Sequence, residues 1–311
     1  MVEAEPEMKE FHILSLGAGV QSTALYVMFM RGEIFKPVPA TTENLGMAAE
    51  DGEPIKLDAA IFADTQEEPA AVYKHLDWLL SLNGPPILVR TVGKLGDDLV
   101  NGRNSTGGRF ASIPAFTTKD GGETTGITRR QCSKEYKTEV INRTIRREVL
   151  GLQPRQRVPR DAHVSSYMGI SLDEAGRAAR ITEMFKKENR AFHPRFPLIE
   201  RFMTRTNCIS FLADKVPHET PRSACTFCPY HNDYEWDRIK REDPDGWQRA
   251  VQVDHALREQ GSVVNRAMDQ VMYLHRSCKP LDLVQLDTKP DLRKSQLGIN
   301  FAAECEGMCG V

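Results

Sequence analysis

Short apolar runs alternate with amphipathic segments in the first half of the chain. The runs at 11–16, 59–63 and 87–89 have the length and composition of buried strands. Apolar residues at helical spacing follow the first two runs, over 22–31 and from Pro69 to about residue 82. This alternation predicts an α/β domain with a parallel sheet, in which ligands bind at the carboxyl ends of the strands.

The same pattern continues with interruptions. It predicts a helix over 134–150, a strand over 164–170 and a helix over 173–189. The segment 37–54 has the character of an inserted loop. The segment 101–128, rich in Gly, Ser and Thr, is long enough for a lid over a substrate.

The pattern changes after Pro197 to short helices and a cysteine pair. We therefore expect a boundary near residue 200. It would divide an α/β domain, residues 1–200, from a smaller helical, cysteine-bearing region, residues 201–311.

Composition indicates a soluble globular protein. The chain has 311 residues, of which 40% are hydrophobic and 27% charged, and its net charge is −2. This balance excludes a uniformly basic coat for nucleic acid, although not a local basic face. No apolar run approaches the roughly 18 residues of a membrane helix, and the N-terminus is acidic rather than signal-like. We expect a cytoplasmic protein with no membrane partner.

A small-residue turn follows the first predicted strand. It has the sequence Ser-Leu-Gly-Ala-Gly-Val-Gln-Ser-Thr over 15–23. Backbone N–H groups in such a turn can surround phosphate oxygens at the N-terminus of a helix. The turn lacks the Gly-Lys-Ser/Thr of a Walker loop and the third glycine of a dinucleotide fingerprint. The structural alternative is a tight turn that packs a helix onto the sheet.

This turn resembles the PP-loop of the ATP pyrophosphatase superfamily, Ser-Gly-Gly-x-Asp-Ser. Residues 17–22 occupy its six places, with Gly17, Ala18 and Gln21 as departures. The resemblance implies an adenine nucleotide α-hydrolase-like, Rossmann-like fold that binds ATP and Mg²⁺. The implied nucleotide-binding residues are Ser15, Gly17, Ala18, Gly19, Gln21, Ser22 and Thr23.

Two later motifs are similar to those of the phosphoadenylylsulfate (PAPS) reductase-like branch of this superfamily. One is the second strand with its Asp64-Thr65 end. The other is Gly-Ile-Ser-Leu-Asp-Glu-Ala-Gly-Arg over 169–177, in which Ser171 replaces an Arg. The resemblance implies ribose or magnesium contacts for Asp64 and Thr65, a catalytic role for Arg177 and anion binding by Arg180. The alternative for either Arg is a solvated charge on a helix.

Seven cysteines are an odd number and favour metal or thiol chemistry over disulfides. In the branch that the chain resembles, a Cys like Cys132 and a pair like Cys225 and Cys228 hold a [4Fe–4S] cluster. A fourth ligand would be Cys305, Cys309, His231 or none. The alternatives are zinc on Cys132, Cys225, Cys228 and His231, or thiols without metal. Cys208 and Cys278 are expected to be buried and structural.

The C-terminal tail carries two more thiols. Its Glu304-Cys305 start is similar to the Glu-Cys-Gly-x-His of the reductases, although Glu306 intrudes and no His follows. A thiol on a mobile tail suits nucleophilic or persulfide chemistry, so Cys305 and Cys309 are candidate catalytic residues. The alternative is a frayed terminus.

A basic stretch over 129–160 contains ten Lys or Arg and three Glu. Such a stretch often recognises a polyanion, and its start at Cys132 would place it beside the site; the alternative is a solvated helix face. Together these features predict an ATP-dependent, AMP- and pyrophosphate-forming sulfurtransferase acting on nucleic acid or a nucleobase. A cysteine desulfurase or another sulfur donor is an expected partner, and a homodimer is possible. The alternatives are a PAPS or adenylylsulfate reductase and a zinc-clipped nucleic-acid-binding module without catalysis.

Overall fold

The computed structural model describes residues 8–36, 52–103, 113–119, 124, 126–188, 191–259 and 270–286. Its main feature is a five-stranded parallel sheet flanked by helices, which confirms the predicted α/β class. The strands of this sheet are β1 (Lys9–Ser15), β2 (Ala59–Ala63), β3 (Ile87–Arg90), β6 (Ala162–Met168) and β7 (Phe192–Arg195). Three short strands elsewhere are β4 (Phe116–Thr118), β5 (Gly126–Ile127) and β8 (Val271–Tyr273).

The strand order in the main sheet is β3-β2-β1-β6-β7. The chain adds β2 and β3 on one side of β1, and then returns to the other side of β1 for β6 and β7. The order therefore reverses between β1 and β6. In open α/β sheets, a crevice opens at such a switch point beyond the carboxyl ends of the two strands, and ligands bind there.

Helices cover both faces of the sheet. They are α1 (Val20–Met30), α2 (Ala70–Ser81), α3 (Leu95–Val100), α4 (Glu139–Thr144), α5 (Ala175–Glu188), α6 (Pro197–Glu200), α7 (Arg205–Leu212), α8 (Asp233–Glu242) and α9 (Pro244–Arg258). Two π-helical segments, Lys134–Thr138 and Ile145–Val149, flank α4 and extend it to the predicted length. Every residue of α1 from 20 to 29 is buried, because α1 lies on the sheet and α7 packs against it. Such a helix is apolar around most of its surface rather than on one face.

A second apolar core joins distant parts of the chain. The strands β5, β4 and β8 form an antiparallel sheet, and α8 and α9 lie nearby in sequence. Leu95 and Tyr136 pack there with Phe227 and Trp236. Cys208 of α7, in contrast, belongs to the core around α1. Residues on both sides of position 200 thus share two cores, and the boundary predicted there stays a prediction.

The sequence pattern does not predict strand β7. Its sequence is Phe-His-Pro-Arg, and a Pro inside an apolar run argues against a strand. The sheet accommodates Pro194 because β7 is the edge strand and pairs only with β6 in this sheet.

Among the described residues, no helix is both long and apolar enough to cross a membrane.

Candidate functional site

The turn between β1 and α1 closes around the hydroxyl of Ser22. The backbone N–H groups of Gly17 and Gly19 both lie 3.2 Å from Ser22 Oγ and donate to it. Between them, Ala18 adopts the left-handed backbone conformation, with a φ of 57°, which a small residue tolerates best. Helix α1 begins at Val20, directly after Gly19. The unsatisfied N–H groups of its first turn, and the positive end of its dipole, therefore lie at the edge of the sheet.

Two buried polar atoms in this turn lack a hydrogen-bond partner within the described part of the chain. They are Ser15 Oγ and Gln21 Oε1, on side chains from residues that are 5% and 1% exposed. Buried polar atoms in native proteins nearly always have a partner, which can be protein, water or ligand. Both atoms are therefore candidates to contact a ligand in the crevice.

The end of β6 forms the opposite wall and approaches the turn very closely. A Cβ atom at Gly169 would lie 2.6 Å from the backbone nitrogen of Ser22 and 2.7 Å from its Cα. Only glycine avoids this overlap with backbone atoms. The two strand ends thus meet at the switch point, as the topology requires.

A polar network joins the two walls. The Gln21 amide donates to Ser171 Oγ and to Glu174 Oε2, each at 2.8 Å. The other oxygen of Glu174 accepts from Arg177 at 2.7 Å. Arg177 is therefore linked through Glu174 to Gln21, at the start of α1. Arg180 lies three residues farther along α5 and is exposed.

The end of β2 supplies the third part of the site. Asp64 accepts hydrogen bonds from the backbone N–H of Gln66 at 2.7 Å and from the Tyr73 hydroxyl at 2.9 Å. Burial, and then Asp64, raise the pKa of the Tyr73 phenol, so this hydroxyl stays a donor at neutral pH. Thr65 is 1% exposed and its Oγ1 lies 3.3 Å from Cys225 Sγ.

The Cys-x-x-Cys turn is attached directly to this strand end. Beyond the Thr65 contact, the N–H of Thr226 donates to the carbonyl of Glu67 at 2.7 Å. His231 closes the turn, because its Nε2 lies 2.9 Å from the Cys225 carbonyl. Burial is the main reason that the pKa of His231 is lowered to about 3, so its imidazole is neutral. The structure thereby brings the first thiol of the pair to the carboxyl edge of the sheet.

A buried ion pair stands next to that thiol. Lys137 Nζ lies 3.0 Å from Glu68 Oε1, and the two side chains are 5% and 0% exposed. The same carboxylate oxygen is 3.5 Å from Thr65 Oγ1 and 3.9 Å from Cys225 Sγ. The charge of Lys137 thus faces the interior and is lost from the predicted basic face.

The predicted metal ligands converge only in part. Cys132 packs against the apolar cluster that contains Cys225, and Cys228 follows at the other end of the turn. Within the described ranges, no group of three or more His, Cys, Asp or Glu side chains is placed to hold a metal ion. The [4Fe–4S] prediction and its zinc alternative remain predictions, and Cys305 and Cys309 lie outside the described residues.

The basic stretch is divided between the two ends of the sheet. Its start lies at the site, where Lys137 meets Glu68 and the Arg130 guanidinium stacks over the Tyr230 ring at 5.5 Å. Its last part, 155–160, immediately precedes β6 and therefore lies at the amino edge, opposite the crevice. The length of β6 separates residues 155–160 from the carboxyl edge. The prediction that a basic surface borders the site therefore concerns only the start of the stretch, and it stays a prediction.

Three groups at the site were not predicted from the sequence. Gly169 and Glu174 lie within the motif that resembles the family, but nothing local shows that one contacts Ser22 and the other Gln21. His75 lies in the middle of α2, and its Nε2 is 2.9 Å from Thr23 Oγ1. Its only sequence signal is a polar residue on the apolar face of a helix.

Comparison of the chain with protein-family models, with curated proteins and with solved structures gives no significant match.

Proposed function

We propose that the protein is an ATP-dependent sulfurtransferase with an adenine nucleotide α-hydrolase-like fold, which releases AMP and pyrophosphate and modifies a nucleic acid or a nucleobase. One observation carries the proposal. The phosphate-type turn around Ser22 and the thiol of Cys225 lie at the same carboxyl edge, on neighbouring strand ends. An acceptor that ATP activates at that edge would therefore lie in the same site as a sulfur atom.

The first step is activation of the acceptor. An oxygen of the acceptor attacks the α-phosphorus of ATP, and the bond from that phosphorus to the pyrophosphate oxygen breaks. The N–H groups at the start of α1 stabilise the charge that develops on the departing pyrophosphate. The side-chain oxygen of Gln21, which has no hydrogen-bond partner among the described residues, would accept a hydrogen bond at the nucleotide; magnesium bound with ATP would supply additional charge for the phosphates. Arg177, which donates to Glu174, brings a positive charge to the same network.

The second step is sulfur transfer. A sulfur nucleophile attacks the activated carbon of the acceptor, and AMP leaves with the oxygen. That nucleophile is the outer sulfur of a persulfide, which a cysteine desulfurase or another donor forms on a cysteine of this chain. A second thiol of the chain then attacks the inner sulfur, so that the S–S bond to the acceptor breaks, the thiolated acceptor leaves and the two cysteines form a disulfide. An external dithiol reduces this disulfide before the next turnover. Burial of Cys225 against Thr65 excludes water from the thiol. No step of this proposal passes through a metal.

The test is the product balance with ATP and acceptor RNA or DNA in the presence of a sulfur donor. AMP and pyrophosphate should form in step with thiolated acceptor. Ser22→Ala removes the hydroxyl that orients the N–H groups of Gly17 and Gly19. With these donors no longer held toward the departing pyrophosphate, pyrophosphate release should fall roughly 100-fold, the order found when a transition-state donor is lost. Ser81→Ala is the matched control, because that hydroxyl contacts only the carbonyl of Trp78 among the bonds that the structure shows for it.

Two outcomes would contradict the proposal. Sulfite release from PAPS that depends on Cys305, with no pyrophosphate from ATP, would establish the reductase alternative. Binding of nucleic acid with no turnover of either nucleotide would establish the non-catalytic alternative.

A further inference from the structure

A buried imidazole connects the first turn of α1 to a partly exposed histidine. Thr23 Oγ1 lies 2.9 Å from His75 Nε2, and His75 Nδ1 lies 2.8 Å from His218 Nε2. Thr23 and His75 are fully buried, whereas His218 is partly accessible to solvent. Trp78 packs against both imidazoles, with its ring centroid 5.3 Å from that of His75 and 5.6 Å from that of His218. The two rings thus form a hydrogen-bonded chain from solvent to the helix start.

The hydroxyl of Thr23 sets the direction of this chain in the ligand-free protein. Among the described residues, the contact with His75 is the only hydrogen bond that this hydroxyl makes. If the imidazole donated, the O–H would be buried without an acceptor, which costs free energy. Burial, and then His218, lower the pKa of His75 to about 4, so this ring is neutral and donates at one nitrogen only. Thr23 therefore donates to Nε2, and His75 donates from Nδ1 to a neutral His218.

The charged groups around His218 act on its protonation in opposite directions. Lys74 of α2 is exposed beside it, and Arg205 and Glu219 line the same cavity of about 470 Å³. Glu219 also faces Arg238 of α8 at 3.7 Å. Burial, and then the charge of Lys74, lower the pKa of His218 from its ordinary value of 6.5. His218 is therefore neutral at pH 7 and gains a proton in mildly acidic solution.

Protonation of His218 reverses the chain. A charged His218 carries a proton on Nε2 and donates to His75 Nδ1, so the single proton of His75 has to lie on Nε2 and point at Thr23 Oγ1. The network has then gained one proton from solvent, and the Thr23 O–H needs another acceptor. Side chains of a helix tilt toward its N-terminus, which for Thr23 is the side of the phosphate-type turn. A phosphate oxygen bound at that turn is an acceptor of the required kind.

We infer that His75 is a positioning residue that directs the Thr23 hydroxyl, and that protonation of His218 and binding of a nucleotide phosphate favour each other. The inference rests on the nucleotide site of the proposed function. Affinity for the nucleotide should rise about tenfold as His218 becomes charged, the order of one hydrogen bond to a charged group. Because coupling between two sites is reciprocal, the nucleotide should favour the charged form of His218 by the same factor.

The first measurement determines which nitrogen of each ring carries a proton. Long-range proton–nitrogen NMR spectra of labelled protein distinguish the two imidazole nitrogens, and the variants His75→Gln and His218→Gln assign the signals. Without ligand, the His75 proton should lie on Nδ1 at pH 8 and on Nε2 once His218 is charged. A His75 proton that stays on Nδ1 throughout this titration would overturn the inference.

A saturating non-hydrolysable ATP analogue should raise the measured pKa of His218 by about one unit, which corresponds to tenfold coupling. The negative charge of the analogue acts on His218 as well. Thr23→Val leaves that charge in place and removes only the hydroxyl, so most of the rise should disappear in this variant. An equal rise in the Thr23→Val variant would overturn the inference.

The second measurement is the affinity for the same analogue by calorimetry at pH 8 and pH 5.5. The analogue itself gains a proton in this range, so each value is compared with that of His218→Gln, whose amide can bond to His75 but does not titrate. The ratio should favour the unaltered protein about tenfold more at pH 5.5 than at pH 8. His75→Gln keeps a polar partner for Thr23 and breaks the contact with His218, and should remove this extra pH dependence.

His255→Gln is the matched control. This histidine is exposed on α9, where its Nε2 lies 3.4 Å from Asp282 Oδ1, and its loss should leave the pH dependence unchanged. A circular dichroism melt verifies that each variant is folded, and His218→Gln, at a partly exposed position, provides the test if His75→Gln does not fold. The same pH dependence in the unaltered protein and in His218→Gln would overturn the inference.

This inference and the proposed function can fail separately. Coupling of analogue binding to His218 in a protein that forms no AMP and pyrophosphate from ATP would refute the proposed function and leave the inference in place. AMP and pyrophosphate formed in step with thiolated acceptor, with no effect of His218→Gln on the pH dependence of binding, would refute only the inference.

Discussion

At the scale of single residues, the site depends on one position where a side chain has no room. The overlap of a Cβ at Gly169 is with the backbone of Ser22 and Gln21, and backbone atoms cannot turn away as a flexible side chain does. The end of β6 and the start of α1 are each held by their own hydrogen bonds. A methyl group there must push the two walls of the crevice apart.

We therefore predict that Gly169→Ala destabilises the fold and weakens ATP binding. Overpacking of this kind costs about 1–3 kcal/mol in the free energy of unfolding. Urea unfolding and ATP titration measure the two effects. Gly176→Ala is the matched control, because the nearest atom to its Cβ would be 4.0 Å away and alanine favours the helix by up to about 1 kcal/mol. Equal stability of the two variants would show that the close approach at Gly169 is not required.

The side chains around each thiol show how Cys225 differs from Cys208 and Cys278. Cys208 is fully buried in the core around α1, and Cys278 is 3% exposed, as expected for structural cysteines. Cys225 is also buried, but its sulfur faces the hydroxyl of Thr65 and the carboxylate of Glu68. The Cys278 sulfur also faces a hydroxyl, Thr124 Oγ1 at 3.3 Å, so the nearby carboxylate of Glu68 is the feature that distinguishes Cys225 as the candidate reactive thiol.

At the scale of elements, helix α4 and its two π-helical extensions show how a charged segment is partitioned. Lys137 is buried against Glu68, while Arg146 and Arg147 donate to the carbonyls of Gln156 and Leu152 in the loop that follows. These three cations support the structure. Lys134, at the site end of the segment, is exposed, as are Arg155 and Arg157 at the opposite edge.

This partition predicts where a polyanion binds. Neutralising Arg129 and Lys134 together, each to Gln, should weaken binding of a single strand and lower the slope of log K against log salt by about 1.4, because each phosphate contact contributes about 0.7. Arg155→Gln with Arg157→Gln removes the same charge from the far edge and should leave the slope unchanged. Fluorescence anisotropy at several salt concentrations measures both. The reverse result would place the polyanion at the amino edge.

At the scale of the whole molecule, buried neutral histidines couple folding to pH. Burial is the first cause that lowers the pKa of His75 to about 4 and of His231 to about 3. In the unfolded chain both groups titrate near the ordinary value of 6.5. The unfolded state therefore binds more protons than the folded state once the pH falls below that value.

The sign of the effect follows from this difference. The contribution of these two histidines to the free energy of unfolding is fully present above pH 6.5. It is lost as the pH falls toward their pKa values in the folded state. Near pH 5 the loss should be about 3 kcal/mol per pH unit for the pair, at about 1.4 kcal/mol per proton. Urea unfolding at pH 7, 6 and 5 measures it, and His75→Gln should remove about half of the slope. Stability that does not change between pH 6.5 and 5 would contradict a buried neutral state for both rings.

Much of the α/β core is predictable because its signals are local. The apolar run that becomes β1, the small residues after it and the helical spacing of α1 lie within one stretch of chain, and the structure places the elements within two residues of their expected ends. The same holds for β2, for α2 and for the helical segment at 134–149. Hydrogen bonding and burial within a single element depend on residues that are neighbours in sequence.

The site itself was decided by tertiary structure. The sequence alone identified the small-residue turn, Asp64, Thr65 and the Cys-x-x-Cys pair as chemistry-bearing, but not that Cys225 meets Thr65 across 160 positions. Nor did it show that Lys137 is internal. Contacts between residues so far apart depend on which strands are neighbours, and that order is set by the packing of the whole sheet and its helices. Residue patterns therefore determined the elements, whereas the packing of the sheet decided which chemical groups face each other at its carboxyl edge.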